Sequence, residues 1–121
     1  MRNYTWILFA AALGAAGCAG HADRNAERGP YKTIAYTIRI ESSEPGAKIE
    51  VNYKPAGVTP TTVKVFGDRD GTFHNFGSDE FIVRAYPANT NQFPQTKIFR
   101  TGTMGVRDDR IPERIYFDLN H

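Results

Sequence analysis

The sequence predicts an all-β protein, a small antiparallel β-sandwich of about six or seven strands. Three observations predict it. Apolar and polar residues alternate with a period of two in several segments after residue 32. Glycine and proline separate these segments at short intervals. No window places apolar residues at helical spacing over three turns, so the strands are expected to pack against each other rather than against helices.

Six segments carry the alternating strand pattern, at residues 33–41, 47–53, 61–66, 80–86, 96–100 and 113–119. In each segment, every second residue is apolar, so one face of each strand is expected to be buried. The segment at 80–86 is apolar on both faces and is expected to be the most covered. The predicted core residues are Ile34, Tyr36, Ile38, Ile40, Ile49, Val51, Tyr53, Val63, Val65, Phe81, Val83, Ala85, Ile98, Ile115 and Phe117.

Residues 1–17 have the proportions of a signal peptide. Arg2 supplies a positive charge, and an apolar run of 11 residues follows from Trp6 to Ala16. A helix that crosses a bilayer needs about 20 apolar residues, so this run is too short to remain as a membrane span. Small residues then precede Cys18, which is the only cysteine of the chain.

The stretch from Ala15 to Cys18 resembles the lipobox of bacterial lipoproteins, although leucine is commonest where Ala15 stands. The resemblance implies that Cys18 becomes the first residue of the mature chain and carries a diacylglyceryl thioether and an amide-linked acyl chain. Each buried methylene contributes about 0.8 kcal/mol, so several chains would anchor the protein to a membrane. Because Ala19 rather than aspartate follows, the resemblance implies the outer membrane, with the domain facing the periplasm. Cleavage before an unmodified cysteine and a short uncleaved anchor are the alternatives.

Residues 18–32 are predicted to be the lipidated cysteine and a flexible tether, because residues 19–30 are small, polar or charged and lack apolar periodicity. The folded domain is predicted to span residues 33–121. With one cysteine, the chain has no internal disulfide, so packing must hold the fold. The net charge of +2, with both signs interspersed, is not that of a nucleic-acid-binding face.

Residues 40–65 resemble the PEGA domain, a small module of bacterial surface and envelope proteins. The family pattern of strand, Pro-Gly-Ala turn, strand, glycine, Thr-Pro and strand is matched by Ser43, Pro45, Gly46, Ala47, Gly57, Thr59 and Pro60. The resemblance implies a transthyretin-like or Ig-like sandwich with a binding or structural role and no activity. Tyr53 stands where the family usually has a glycine, so residues 52–55 are expected to bend differently or to form a longer loop.

The matched residues have scaffold roles in turns. Pro45 presets φ for the first position of a turn, and Gly46 supplies the positive φ that a type II turn needs next. Ala47 is small enough to start the following strand without crowding this turn. Gly57 is expected to permit a second tight reversal, and Pro60 suits the first residues of a strand because it has no N–H to donate.

No catalytic, cofactor or metal site is predicted. The three histidines, His21, His74 and His121, are scattered, which does not favour zinc. Asp68 and Asp70 stand in an Asp-x-Asp-Gly arrangement, but the glutamate that a calcium loop requires is missing from its position. A polar hairpin turn is the favoured interpretation of that segment.

The loop at 67–79 carries Phe73, His74 and Phe76, the candidate partner-binding residues. Aromatic side chains in a loop either cover the core, which is the favoured interpretation because the ends of a sandwich need covering, or meet a partner. If the six predicted strands alternate in direction, loops 42–46, 67–79 and 101–112 share one end of the sandwich. Loops 54–60 and 87–95 would then share the other end with the tether, so that the aromatic loop faces away from the membrane.

Together these features predict a lipid-anchored envelope protein. It would act as a non-catalytic binding or scaffolding module at the outer membrane, with another envelope protein or a cell-wall glycan as its partner and no nucleic acid. The alternative is an accessory or assembly subunit of an envelope or secretion machine with a purely structural role. An enzyme ranks third, because no motif in the sequence favours one.

Overall fold

The structure, a computed structural model, describes residues 26–102 and 107–120. These residues form seven strands and one short 3-10 helix, which we number in chain order. The helix is Pro30–Lys32, and the strands are β1 (Ile34–Ser42), β2 (Lys48–Val51), β3 (Lys54–Val58), β4 (Thr61–Gly67), β5 (Glu80–Tyr86), β6 (Gln95–Arg100) and β7 (Arg114–Phe117).

The strands form two sheets, which confirms the predicted all-β sandwich class. One sheet has the order β4-β1-β7 and the other has the order β3-β2-β5-β6. Four of the strand pairs described are antiparallel, including β1 with β4, where Ile34 pairs with Gly67. The pair of β1 and β7 is parallel, with Arg39 opposite Arg114, and is the one departure from a wholly antiparallel arrangement among the described strands.

The core lies between the two sheets and is filled by alternate residues of the strands. Burial removes each of these side chains from water, which contributes about 1.5–3 kcal/mol for a large aliphatic or aromatic group. The buried apolar residues form one cluster: Ile34, Tyr36, Ile38, Ile40, Ala47, Ile49, Val65, Phe73, Phe81, Val83, Ala85, Ile111, Ile115, Phe117 and Leu119.

Two predicted core residues face solvent instead. Ile98 is 54% exposed, and its neighbour Phe99 packs against the core. The reason is the register of β5 and β6, which pairs Phe81 with Phe99 and so puts both rings on the inner face. Tyr53 is 65% exposed because it lies in a turn and not in a strand.

Strand β3 has no counterpart among the predicted segments. Its sequence, Lys-Pro-Ala-Gly-Val, has no apolar alternation, and proline and glycine are depleted from strands. A two-residue turn joins it to β2, with Asn52 at φ 50° and Tyr53 at φ 70°. Two successive positive φ values are those of a type I′ hairpin turn. The tight turn therefore forms without a glycine, and the expectation of a longer loop at residues 52–55 is wrong.

The additional strand reverses the predicted arrangement of the loops. The N-terminal end of the sandwich carries residues 26–33, the loop 68–79 and the described parts of the connection 101–113. The loop and the connection meet there, where Phe73 N–H donates to Asp109 O at 3.1 Å. The opposite end carries 43–47, 59–60, 87–94 and 118–120, where Gly46 N–H donates to Thr59 O at 2.9 Å. The chain reverses direction between successive strands. A prediction that omits β3 therefore places every later loop at the wrong end of the sandwich. The prediction that loop 67–79 lies away from the tether is therefore wrong.

Candidate functional site

The loop after β4 begins with a hydrogen-bonded turn. Gly71 N–H donates to Asp68 O at 3.0 Å, and Asp68 N–H donates to Thr72 O at 2.8 Å. The Asp70 carboxylate accepts from Thr72 Oγ1 at 2.6 Å and from Thr72 N–H at 3.1 Å. The Thr72 hydroxyl is the main reason why the pKa of Asp70 lies below its ordinary value. The Asp-x-Asp-Gly segment thus forms a turn in which the Asp70 carboxylate accepts hydrogen bonds from Thr72 of the same loop.

Phe73 belongs to the core and not to the surface. It is 1% exposed, and its ring centroid lies 4.8 Å from that of Phe81 and 5.3 Å from that of Phe99. Its position is fixed because Phe73 forms a bridge with Gly67 at the end of β4. Phe73 is therefore not available to a partner, and its place among the candidate partner-binding residues has to be withdrawn. For Phe73, the interpretation that the aromatic side chain covers the core is correct.

His74 and Phe76 lie at the surface and are joined there by Tyr31. The rings of Tyr31 and His74 stack with centroids 5.8 Å apart and planes 13° apart. The Phe76 ring lies 4.6 Å from His74 and 6.1 Å from Tyr31. Tyr31 is 77% exposed and Phe76 is 49% exposed. We call Tyr31, His74 and Phe76 the aromatic cluster.

Hydrogen bonds hold the two cluster members of the loop after β4, His74 and Phe76. His74 Nδ1 lies 2.8 Å from Asp68 Oδ1, which ties the imidazole to the turn after β4. The Asn75 side-chain oxygen accepts from Gly77 N–H at 2.7 Å, and its amide nitrogen donates to Gly102 O at 2.7 Å, which supports the backbone on either side of Phe76. The cluster therefore has a supported backbone beneath exposed rings.

Tyr31 is presented by a closed turn in front of β1. Tyr31 has φ 58° and Lys32 has φ 64°, a left-handed conformation that residues other than glycine seldom adopt. Gly29 N–H donates to Thr33 O at 2.9 Å, and buried Thr33 donates through Oγ1 to Pro30 O at 2.6 Å. A Cβ at Gly29 would collide with the ring of Phe66, so glycine is required for this approach.

The segment before β1 is part of the domain from at least residue 26. Glu27 pairs with Lys64 of β4, with 2.7 Å between carboxylate and ammonium, and Arg28 forms a bridge with Ile34. Ala26 packs against the core. The prediction assigned these residues to a flexible tether because their composition is polar. The sequence does contain one indication that these residues are folded. It is Gly-Pro-Tyr at 29–31, a turn sequence followed by an aromatic residue.

A cleft opens beside the aromatic cluster, between the edge of β4 and the ends of β2 and β5. It has a volume of about 270 Å³. Apolar groups from both sheets form most of its wall, and Phe76 stands at its rim. The lining residues are Val51, Asn52, Lys64, Val65, Phe66, Phe73, His74, Phe76, Ser78, Glu80, Phe81 and Thr101.

The predicted turn scaffold lies at the opposite end. Gly46 has φ 93° and follows Pro45, and Ala47 is buried. Thr59 binds this turn twice, because its N–H donates to Ala47 O at 2.8 Å and its Oγ1 accepts from Ala47 N–H at 3.0 Å. Pro60 follows through a cis peptide bond and precedes β4.

Gly57 does not form the tight reversal that was expected. It lies within β3 at φ 109°, where the pairing with β2 shifts register. Lys48 pairs with Val58 and Glu50 pairs with Pro55, so β3 has one residue more than β2 over this stretch. This is the geometry of a β-bulge, which glycine favours because it tolerates a positive φ.

Comparison with known proteins gives no relative. No protein-family model matches the chain, and no curated protein and no solved structure is significantly similar to it. Within residues 26–102 and 107–120, no helix is long and apolar enough to cross a membrane. The same residues contain no group of three or more His, Cys, Asp or Glu side chains arranged to hold a metal ion. Cys18, His21 and His121 lie outside the described residues.

Proposed function

We propose that this chain is a lipid-anchored protein of the bacterial envelope. The observation that carries the proposal is the leader, in which one positive charge, 11 apolar residues and a run of small residues precede the only cysteine. Acylation at Cys18 uses this thiol and leaves a β-sandwich that packing alone holds together. The anchored chain belongs at the outer membrane, with its domain on the periplasmic side.

The substitution Cys18→Ser tests the anchor. In cells fed an alkyne fatty acid, we expect the wild-type chain to be labelled and to sediment with membranes. We expect Cys18→Ser to lose the label and to leave the outer-membrane fraction. Ser43→Ala, which keeps Cys18, serves as the control and should be labelled like the wild type. Labelling that persists in Cys18→Ser, or an unlabelled wild type, would contradict the proposal.

The domain then acts as a non-catalytic binding or scaffolding module of the PEGA type. The Pro45-Gly46-Ala47 turn and the Thr59-Pro60 step support the resemblance because they contact each other across one end of the sandwich. The outer face of the four-stranded sheet offers a surface for a partner. Its strands expose the apolar side chains of Ile98 and Val58, and the Tyr53 ring lies 5.7 Å from the Arg84 guanidinium.

Two classes of partner fit a face of this composition. Tyrosine and arginine side chains suit the sugar rings and hydroxyls of a cell-wall glycan, and the aliphatic groups suit another envelope protein. A photo-crosslinking residue placed at Ile98 distinguishes them in intact cells. We expect an adduct at this position and none at the control position Thr37, which is exposed on β1 of the other sheet. Equal crosslinking at both positions, or none at Ile98, would contradict a partner on this face.

The alternative role, an accessory subunit of an envelope machine, predicts a different result in the same experiment. A single protein partner recovered in fixed stoichiometry would favour the assembly subunit. Adducts with peptidoglycan or polysaccharide would favour the glycan-binding module.

A further inference from the structure

We infer that the aromatic cluster of Tyr31, His74 and Phe76 rests on the lipid surface and sets the orientation of the domain on the membrane. This inference builds on the proposed anchor at Cys18. Its lipid-facing residues come from two separate segments, the turn before β1 and the loop after β4, which the fold brings together at the N-terminal end.

The length of the chain between the anchor and the cluster places both at one surface. Tyr31 follows Cys18 by thirteen residues. Residues 26–31 belong to the domain, so eight residues lead from Cys18 to Ala26, and eight residues span at most about 28 Å when fully extended. Because residues 26–33 enter the sandwich at the N-terminal end, that end is the nearest part of the domain to the lipid. The effective concentration of lipid at the cluster is therefore high, and a weak contact suffices.

The chemistry of the aromatic cluster suits the headgroup region of a bilayer. Tyrosine has an apolar ring and a polar hydroxyl, and such side chains concentrate at membrane interfaces. Phe76 adds an apolar ring that is half exposed. The three rings contact each other, so they present one continuous aromatic surface.

The charged residues near the aromatic cluster indicate whether it needs an anionic or a zwitterionic lipid. Lys32 is next to Tyr31, and Arg69 lies in the turn before His74, but Asp68 and Asp70 flank Arg69. Both signs are present, so electrostatic attraction to anionic lipid is not the main contribution. The contact should form on zwitterionic phosphatidylcholine, with the aromatic rings supplying the affinity.

The experiment uses the chain from Cys18 to His121, which includes every described residue. Its only cysteine couples to a maleimide phospholipid and so reproduces an anchor at residue 18 whether or not cells acylate it. Phe76→Trp provides a single fluorophore, because the only tryptophan of the sequence, Trp6, precedes Cys18. Phe93→Trp is the matched control, since Phe93 is 73% exposed at the opposite end. Circular dichroism checks that both variants keep the β-fold.

The measurement is quenching of tryptophan emission by brominated phosphatidylcholine in the vesicles. We expect quenching at position 76 to exceed that at position 93 by about two-fold or more, with a blue-shifted emission at position 76 only, because interfacial aromatic side chains enter the headgroup region. Equal quenching at the two positions, or none at position 76, would overturn the inference. If the tryptophan emission of Phe76→Trp shifted with protein concentration in the absence of vesicles, the aromatic cluster would contact a second copy of the chain. That result would also overturn the inference.

The two proposals fail in different ways. If cells do not acylate Cys18 but the coupled chain shows quenching at position 76, the anchor is wrong and the lipid contact stands. If Cys18 is acylated and position 76 is unquenched, the anchor stands and the aromatic cluster does not contact lipid.

Discussion

At the scale of single residues, two phenylalanines three positions apart have different roles. Phe73 packs between Phe81 and Phe99, whereas Phe76 stands at the surface beside His74. The sequence predicts that aromatic residues gather in this loop, but not which of them turns inward. That choice depends on the bridge of Phe73 to Gly67 and on its hydrogen bond to Asp109, which is distant in sequence.

Substitution by alanine should separate the two phenylalanines. Phe73→Ala leaves a cavity in the core, and we expect it to lower the free energy of unfolding by about 3–5 kcal/mol. Phe76→Ala should change it by less than about 0.5 kcal/mol, because surface substitutions seldom cost more. Urea denaturation measures both. A larger loss for Phe76→Ala than for Phe73→Ala would contradict the packing.

The turn at Asp70 predicts a dependence on pH. The pKa of Asp70 is lowered in the folded chain, so the carboxylate stabilises the fold above its ordinary pKa of 3.8, and that contribution is lost as the pH falls through the folded value. Asp70→Asn should therefore be less stable than the wild type near pH 7, and the difference should be smaller near pH 2. Thermal denaturation at both values measures the difference. If Asp70→Asn were destabilised as much in acid as near pH 7, the loss of stability would not come from the charge of Asp70.

At the scale of elements, the strands with clear alternation are predicted and β3 is not. Strands such as β1 and β5 bury every second residue, and this pattern is visible in the sequence. β3 is an edge strand that contains Pro55 and a bulge at Gly57, and among the described strands it pairs with β2 alone. Its strand conformation comes from the hairpin turn and the neighbouring strand, so alternation could not reveal it.

The hairpin between β2 and β3 depends on Asn52. Its side-chain oxygen accepts from Ile82 N–H at 2.9 Å, and its own N–H donates to Ile82 O at 2.8 Å. Asn52→Ala loses the first hydrogen bond and places alanine at positive φ, so we expect a loss of about 2–3 kcal/mol. Asn52→Gly keeps the backbone conformation and should lose only about 1 kcal/mol. Equal stability of the two variants would contradict the left-handed turn.

At the scale of the whole molecule, one missed strand changes the orientation of the domain. The sequence predicts the fold class and the core face of most strands, but the end at which each loop lies depends on the number of strand reversals before it. With β3 included, the aromatic cluster shares an end with the chain entering from Cys18. The surface expected to meet a distant partner is therefore the surface nearest to the proposed anchor.

The central claim is the lipid on Cys18, and intact mass spectrometry of the chain isolated from membranes tests it most directly. We predict a mature chain that begins at Cys18 and is heavier than its amino-acid sequence by a diacylglyceryl group and one further acyl chain. A chain that begins at another residue, or an unmodified Cys18, would contradict the account.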